Sequence, residues 1–136
     1  MALDIQRRER EDITVLDMAG RITVGEEAGA FRDTMRELTA GGVRNVILNL
    51  AGVDYIDSTG LGALVVCFTS LGKQGGRLKL ENLNRRTIEL LLFTKLTTVF
   101  EIFGDEQDAV NSFFPDRQIK RFDILTFVSE QAVEDK

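Results

Sequence analysis

A chain of 136 residues, 43% hydrophobic and 29% charged, has the balance of one soluble globular domain large enough to bury a core. Its 17 Lys and Arg against 22 Asp and Glu leave a formal charge of −5, which counts against a nucleic-acid binder, a class that needs a basic face. With no His and one Cys, Cys67, a Cys/His zinc site, a His-dependent triad and an intramolecular disulfide are excluded; no EF-hand-like spacing of carboxylates appears, so neither metal nor cofactor is expected.

The first eight residues are charged and lack an apolar signal core. The longest uncharged apolar stretch, Leu61 to Phe68, falls far short of the roughly 20 residues of a spanning helix. A cytoplasmic protein with no membrane insertion is expected. Cys67, inside Leu64-Val65-Val66-Cys67-Phe68, reads as a small buried hydrophobe.

Leu3 and Ile5 alternate with Asp4 and Gln6, a short strand, and Arg8-Glu9-Arg10-Glu11-Asp12 is a charged turn. Ile13, Val15, Leu16 and Met18 read as a second strand, completing a hairpin. Gly20-Arg21-Ile22-Thr23-Val24-Gly25 reads as a loop. Ala28, Phe31, Met35 and Leu38 recur at helical spacing up to Gly41-Gly42. Val46-Ile47-Leu48-Asn49-Leu50 is apolar almost throughout, as in a central strand covered on both faces.

Leu61, Leu64, Val65, Phe68 and Leu71 give a second helical face, and Leu78 and Leu80 alternate with Lys79 and Glu81 in a strand. Asn84 can cap a helix with Ile88, Leu91, Leu92 and Leu96 facing inward. Val99 to Phe103 reads as a last strand, and Asp105 caps a helix carrying Ala109, Val110, Phe113 and Phe114. The order β-β-α-β-α-β-α-β-α predicts an α/β fold with a mixed five-stranded sheet.

The single proline, Pro115, divides a core domain over 1–114 from an extension over 115–136. There Asp123 caps a helix with Ile124, Leu125, Val128 and Ala132 on one face, or Ile124 to Val128 forms a strand; Glu134-Asp135-Lys136 is expected to fray.

One segment has the makings of a site. Asp54-Tyr55-Ile56-Asp57-Ser58-Thr59-Gly60-Leu61-Gly62 follows the most apolar strand at its carboxyl end, where open α/β sheets place functional loops. Ser58 or Asp57 can serve as N-cap, and Gly60 and Gly62 leave room for another backbone or a ligand. Capping and turn chemistry alone accounts for such a sequence. The functional reading is a hydroxyl at a helix start, where an added phosphate would meet N–H donors.

Other features read as structure. Glu26-Glu27 and Asp105, Glu106, Asp108 suit helix starts. Gly72 to Gly76 follows a helix and lacks the Gly-Lys-Ser/Thr of a P-loop. Arg85-Arg86 could bind an acidic partner, but reads rather as a solvated pair after a cap, and Phe93, Phe100, Phe103, Phe113 and Phe114 sit at core-like spacings. No general base other than carboxylates and lysines is available, and no pair is spaced to suggest catalysis.

The sequence resembles the STAS domains of bacterial anti-sigma factor antagonists across residues 3–114. The resemblance rests on Val46-Ile47-Leu48-Asn49-Leu50 followed by Tyr55-Ile56-Asp57-Ser58-Thr59-Gly60-Leu61-Gly62, with Gly20-Arg21-Ile22 and Val99-Phe100-Glu101-Ile102-Phe103 in agreement. It implies a mixed sheet with helices largely on one side. It also implies a non-catalytic switch that binds an anti-sigma factor serine kinase while Ser58 is unphosphorylated, lets go when phosphorylated, and is reset by a serine phosphatase.

By the same resemblance Thr59 is a minor phosphorylation site, and Asp57, Ser58, Thr59, Gly60, Arg21 and Thr23 form the partner-binding set. Where many relatives carry an acidic residue in the loop facing the kinase, this chain has Gly20-Arg21-Ile22-Thr23; Thr23 offers a hydrogen bond without charge. The second function such domains suggest is an interaction subunit of a lipid-transport or stress-signalling complex.

Overall fold

The computed structural model describes residues 3–120 and 122–127. The elements are β1 (Asp4–Arg10), β2 (Ile13–Ile22), α1 (Glu26–Ala40), β3 (Asn45–Ile56), α2 (Ser58–Lys73), β4 (Arg77–Glu81) and α3 (Arg85–Phe93), then a 3-10 turn (Leu96–Thr98), β5 (Ile102–Phe103) and α4 (Glu106–Asn111). They form a five-stranded sheet in the order β1-β2-β3-β4-β5, with β1 antiparallel to β2 and the later pairs parallel.

The hairpin turn is only Glu11-Asp12, both at positive φ, the tight connection that suits the twist of paired strands. The charged run Arg8-Glu9-Arg10, expected in the turn, continues β1 instead, because each residue finds a register partner on β2. Parallel pairs need crossovers, and α1, α2 and α3 supply them. Right-handed crossovers that step always toward the same sheet edge put all three helices on one face.

Against that face pack Leu16, Met18, Val46, Leu48 and Leu50 from the sheet, with Phe31, Leu64, Leu71, Ile88 and Leu91 from the helices. The opposite face has a smaller core: Ile13, Val15 and Ile47 meet Phe103 and the α4 region through Ala109, Val110 and Phe113. β3 is therefore covered on both sides, as its unbroken apolar run requires.

Three expectations are corrected. β2 runs through Ile22 and β3 through Ile56, so Gly20-Arg21-Ile22 and Asp54-Tyr55-Ile56 are strand rather than loop. They pair with each other beyond two register irregularities, where a Cβ at Gly52 would stand 2.9 Å from the Met18 carbonyl oxygen. The last strand is only Ile102–Phe103, since Leu96–Thr98 forms a helical turn that Val99 and Phe100 close. Phe93 is 90% exposed: it lies two residues beyond the buried Leu91, on the opposite side of α3.

The alternation of Leu78 and Leu80 with Lys79 and Glu81 holds, but the polar pair is buried as well. Lys79 Nζ meets Ser112 Oγ at 2.9 Å and Glu101 Oε2 at 3.0 Å. Glu81 ends a polar row at one register level, with Asp17 opposite Asn49 and Asn49 opposite Glu81. Asn49 Nδ2 donates to Asp17 Oδ1 at 2.8 Å, and Arg8 forks between Asp17 at 2.7 Å and Glu106 at 2.8 Å. Glu81 lies against Glu106, and its Oε1 has no acceptor-compatible partner among the described residues.

In the extension, residues 124–127 are helical, and Asp123 caps them by accepting from the Thr126 N–H at 3.0 Å and the Thr126 hydroxyl at 2.6 Å. Phe122, Ile124 and Phe127 pack on the larger core, whereas Leu125, expected on the same face, is exposed. Val128, Ala132 and the residues 134–136 lie outside the described residues. No helix among the described residues is long and apolar enough to cross a membrane.

Candidate functional site

β3 ends at Ile56 and α2 begins at Ser58, so Asp57 makes the junction. It is the N-cap, in extended conformation, and its carboxylate is divided between two backbone donors. Oδ1 accepts from Gly60 N at 2.8 Å and Oδ2 from Val24 N at 3.0 Å, while the Asp57 N–H donates to the Ile22 carbonyl at 3.3 Å. One side chain thus starts α2 and ties it to the β2–α1 connection. The N–H groups of Gly60 and then Val24 hold the Asp57 carboxyl below its ordinary range.

Because Asp57 takes the cap, Ser58 does not. Ser58 is the first residue of α2, exposed, and its hydroxyl has no hydrogen-bond partner among the described residues. Thr59 beside it is also exposed. Gly60 is buried against β2: a Cβ there would fall 1.9 Å from the Ile22 carbonyl oxygen. Gly62 faces open space, so of the two glycines only Gly60 serves a close approach.

Arg21 is exposed near the end of β2 and Thr23 half-buried in the loop after it, with the Thr23 carbonyl accepting from Ala28 N at 3.0 Å. Arg21 is the register partner of Tyr55, and Ile22 of Ile56. Arg21, Thr23, Asp57, Ser58, Thr59 and Gly60 therefore gather at one end of the sheet.

Three neighbours lie beside the residues that the resemblance assigns to the contact face. Val24, held by Asp57, is 68% exposed, and Tyr55 is 39% exposed. The Arg86 guanidinium stands 5.6 Å from the Tyr55 ring centroid. The cause is Asn84, which caps α3 by accepting from Thr87 N at 2.8 Å and donates its amide to the Val53 carbonyl at 3.0 Å. That double bond pins the start of α3 to the end of β3. The arginine pair after a cap was visible in the sequence; which strand end it would meet was not.

The helix start offers partly positive N–H groups, and the hydroxyl in front of them is open to a second protein. Cys67 lies on the buried side of α2, where burial pushes its thiol up to about 11, in keeping with an apolar filler. No group of three or more acidic or Cys side chains among the described residues is arranged to hold a metal ion.

The STAS domain family model matches residues 4–109. Over 110 residues the chain is 34% identical to the anti-sigma-B factor antagonist of Bacillus subtilis (strain 168), spanning 81% of this chain and 99% of that protein. The structure of an anti-sigma factor antagonist from Mycobacterium paratuberculosis superposes with a TM-score of 0.71 at 18% identity, covering 81% of this chain and 92% of that one. The Bacillus cell fate determinant SpoIIAA in its phosphorylated form gives a TM-score of 0.64 at 19% identity, with coverage of 81% and 99%. At such identities the structural likeness establishes the mixed-sheet fold.

Proposed function

We propose that this chain, which belongs to the STAS domain family, acts as a cytoplasmic anti-sigma factor antagonist whose grip on its partner is released by phosphorylation of Ser58. The partner in this reading is an anti-sigma factor that is also the serine kinase, and a serine phosphatase restores the binding form. Thr59 is the minor acceptor, and Asp57, Gly60, Arg21 and Thr23 belong to the same contact face.

One observation carries the reading. The Asp57 carboxylate satisfies the cap, which leaves the Ser58 hydroxyl exposed and unbonded on the first turn of a 16-residue helix. A neutral hydroxyl can be covered by a partner at little cost once it is hydrogen-bonded. A phosphate adds about −1.5 to −2 charges. Next to Asp57, that charge meets a like charge and is costly to bury unpaired. The domain itself tolerates the phosphate, because the N–H groups and dipole of α2 favour an anion there.

The test is a pull-down from the native cytoplasm with Ser58→Ala and Ser58→Asp baits, followed by incubation of the intact chain with the recovered kinase and ATP. A kinase retained by Ser58→Ala and lost by Ser58→Asp, with label mapping between Tyr55 and Leu64, supports the switch. Label elsewhere that Ser58→Ala leaves intact refutes it.

A further inference from the structure

We propose that Arg86, placed over the Tyr55 ring, is a second anchor of the partner-binding face and receives a carboxylate-bearing edge of the partner. The proposal rests on the reading of Ser58 as lying in a partner interface and adds α3 to the elements that make it.

The placement is built, not incidental. Asn84 fastens the start of α3 to the Val53 carbonyl, which puts Arg86 over the ring of Tyr55, three residues before Ser58. Arg21 is the register partner of Tyr55 on the neighbouring strand. On the other side, Asp57 holds Val24 by its backbone N–H, so an exposed valine and an exposed tyrosine flank the serine.

The chemistry points to an acidic occupant. Of the 15 Lys and Arg among the described residues, seven form ion pairs with a carboxylate. These are Arg7, Arg8, Arg10, Arg36, Lys79, Arg85 and Arg117. Among the described residues neither Arg21 nor Arg86 has one, although both are exposed. A guanidinium carries a planar fork of N–H donors that can take a carboxylate in two hydrogen bonds.

Tyrosine and arginine beside an apolar contact are the residue types that dominate binding energy at interfaces. With Val24 and Tyr55 giving apolar area and Arg21 and Arg86 unmet donors, the surface suits a partner edge with an apolar side chain beside an Asp or Glu.

Titration calorimetry of the full chain against the purified serine-kinase anti-sigma factor of the same organism tests this, with thermal melts as fold control. Arg86→Ala is expected to weaken binding about 10-fold and Arg86→Glu about 100-fold. Arg86→Lys should fall between wild type and Arg86→Ala, since it keeps charge and loses the planar fork of donors. Melting points should stay close to wild type, because the side chains are exposed. Tyr55 is the only tyrosine, so its nitration in the free chain and protection in the complex gives an independent readout.

Arg86→Glu binding as tightly as wild type, or more tightly, overturns the proposal. If Ser58→Asp abolishes binding while Arg86→Glu does not, the second anchor falls and the Ser58 reading stands. If Arg86→Glu weakens binding while Ser58→Asp leaves it unchanged, the anchor stands and the Ser58 switch falls. If the wild-type chain does not bind the kinase, both fall.

Discussion

Gly60 and Ile22 are in backbone contact: a methyl group on Gly60 would lie 1.9 Å from the Ile22 carbonyl oxygen. The first turn of α2 thus rests directly on the end of β2. The obstacle is backbone rather than a side chain that could swing aside, so the two elements would have to separate to admit it. Gly60→Ala is therefore expected to destabilise the domain by ~2 kcal/mol or more. Gly62→Ala, with open space around it, should be neutral or stabilising by up to about 1 kcal/mol as a helix residue. Urea denaturation of both variants measures the contrast, and equal effects would mean that the close approach does not matter.

Asp57 supplies a pH prediction with a definite sign. Its folded-state pKa is depressed from the ordinary 3.8 by the N–H groups of Gly60 and Val24. The stability it contributes is present above that ordinary value and is lost as pH falls through the lowered one. Asp57→Asn should lower the melting temperature at neutral pH and flatten the acid limb of melting temperature against pH. An unchanged acid limb would show that the two N–H bonds do not favour the ionised form.

Glu81 and Glu106 give the opposite sign on the alkaline side. Burial, reinforced by Glu106, pushes the Glu81 carboxyl up to about 9, while Arg8 holds Glu106 well below the usual range. Glu81 then carries a proton at neutral pH, which lets its carboxyl donate to Glu106. A raised pKa means that the stability from Glu81 is fully present below its unfolded value of 4.5 and fades as pH rises toward about 9. Glu81→Gln, a neutral donor of similar shape, should lose less stability than wild type between pH ~5 and ~9. Urea midpoints at the two ends of that range decide it; parallel curves would mean Glu81 is ionised in the fold.

Two residues expected in the core part company under mutation. Leu48 is fully buried in β3, and Leu48→Ala should cost about 2–5 kcal/mol. Phe93 is exposed at the end of α3, and Phe93→Ser should change stability by no more than about 0.5 kcal/mol. Thermal melts of the pair check the assignment of Phe93 to the surface.

The order of elements, the central strand and the caps Asn84 and Asp105 were legible in the sequence, because periodicity and capping are local properties. The Asp57-Ser58-Thr59-Gly60 segment was legible too, as was Gly60 as a point of close approach. Which residue capped α2 was not: Asp57 and Ser58 are chemically equivalent candidates, and the choice fell to Asp57 because Val24, 33 residues earlier, offers its second oxygen a donor. Strand ends were missed for the same reason. Arg21 and Tyr55 look like loop residues alone and become strand only by pairing with each other.

Helix-face spacing placed Ile88 and Leu91 correctly, but the chemistry of a phenylalanine says nothing of the side of α3 on which Phe93 falls. Nor could alternation reveal that Lys79 and Glu81 are buried, since burial there depends on α4 folding back from beyond β5. The sequence by itself determined the fold class and the exposed-serine motif through local patterns. Only tertiary structure decided that Arg86 meets Tyr55 and Glu81 meets Glu106, because those pairs arise from chain segments that become neighbours only after the sheet is assembled.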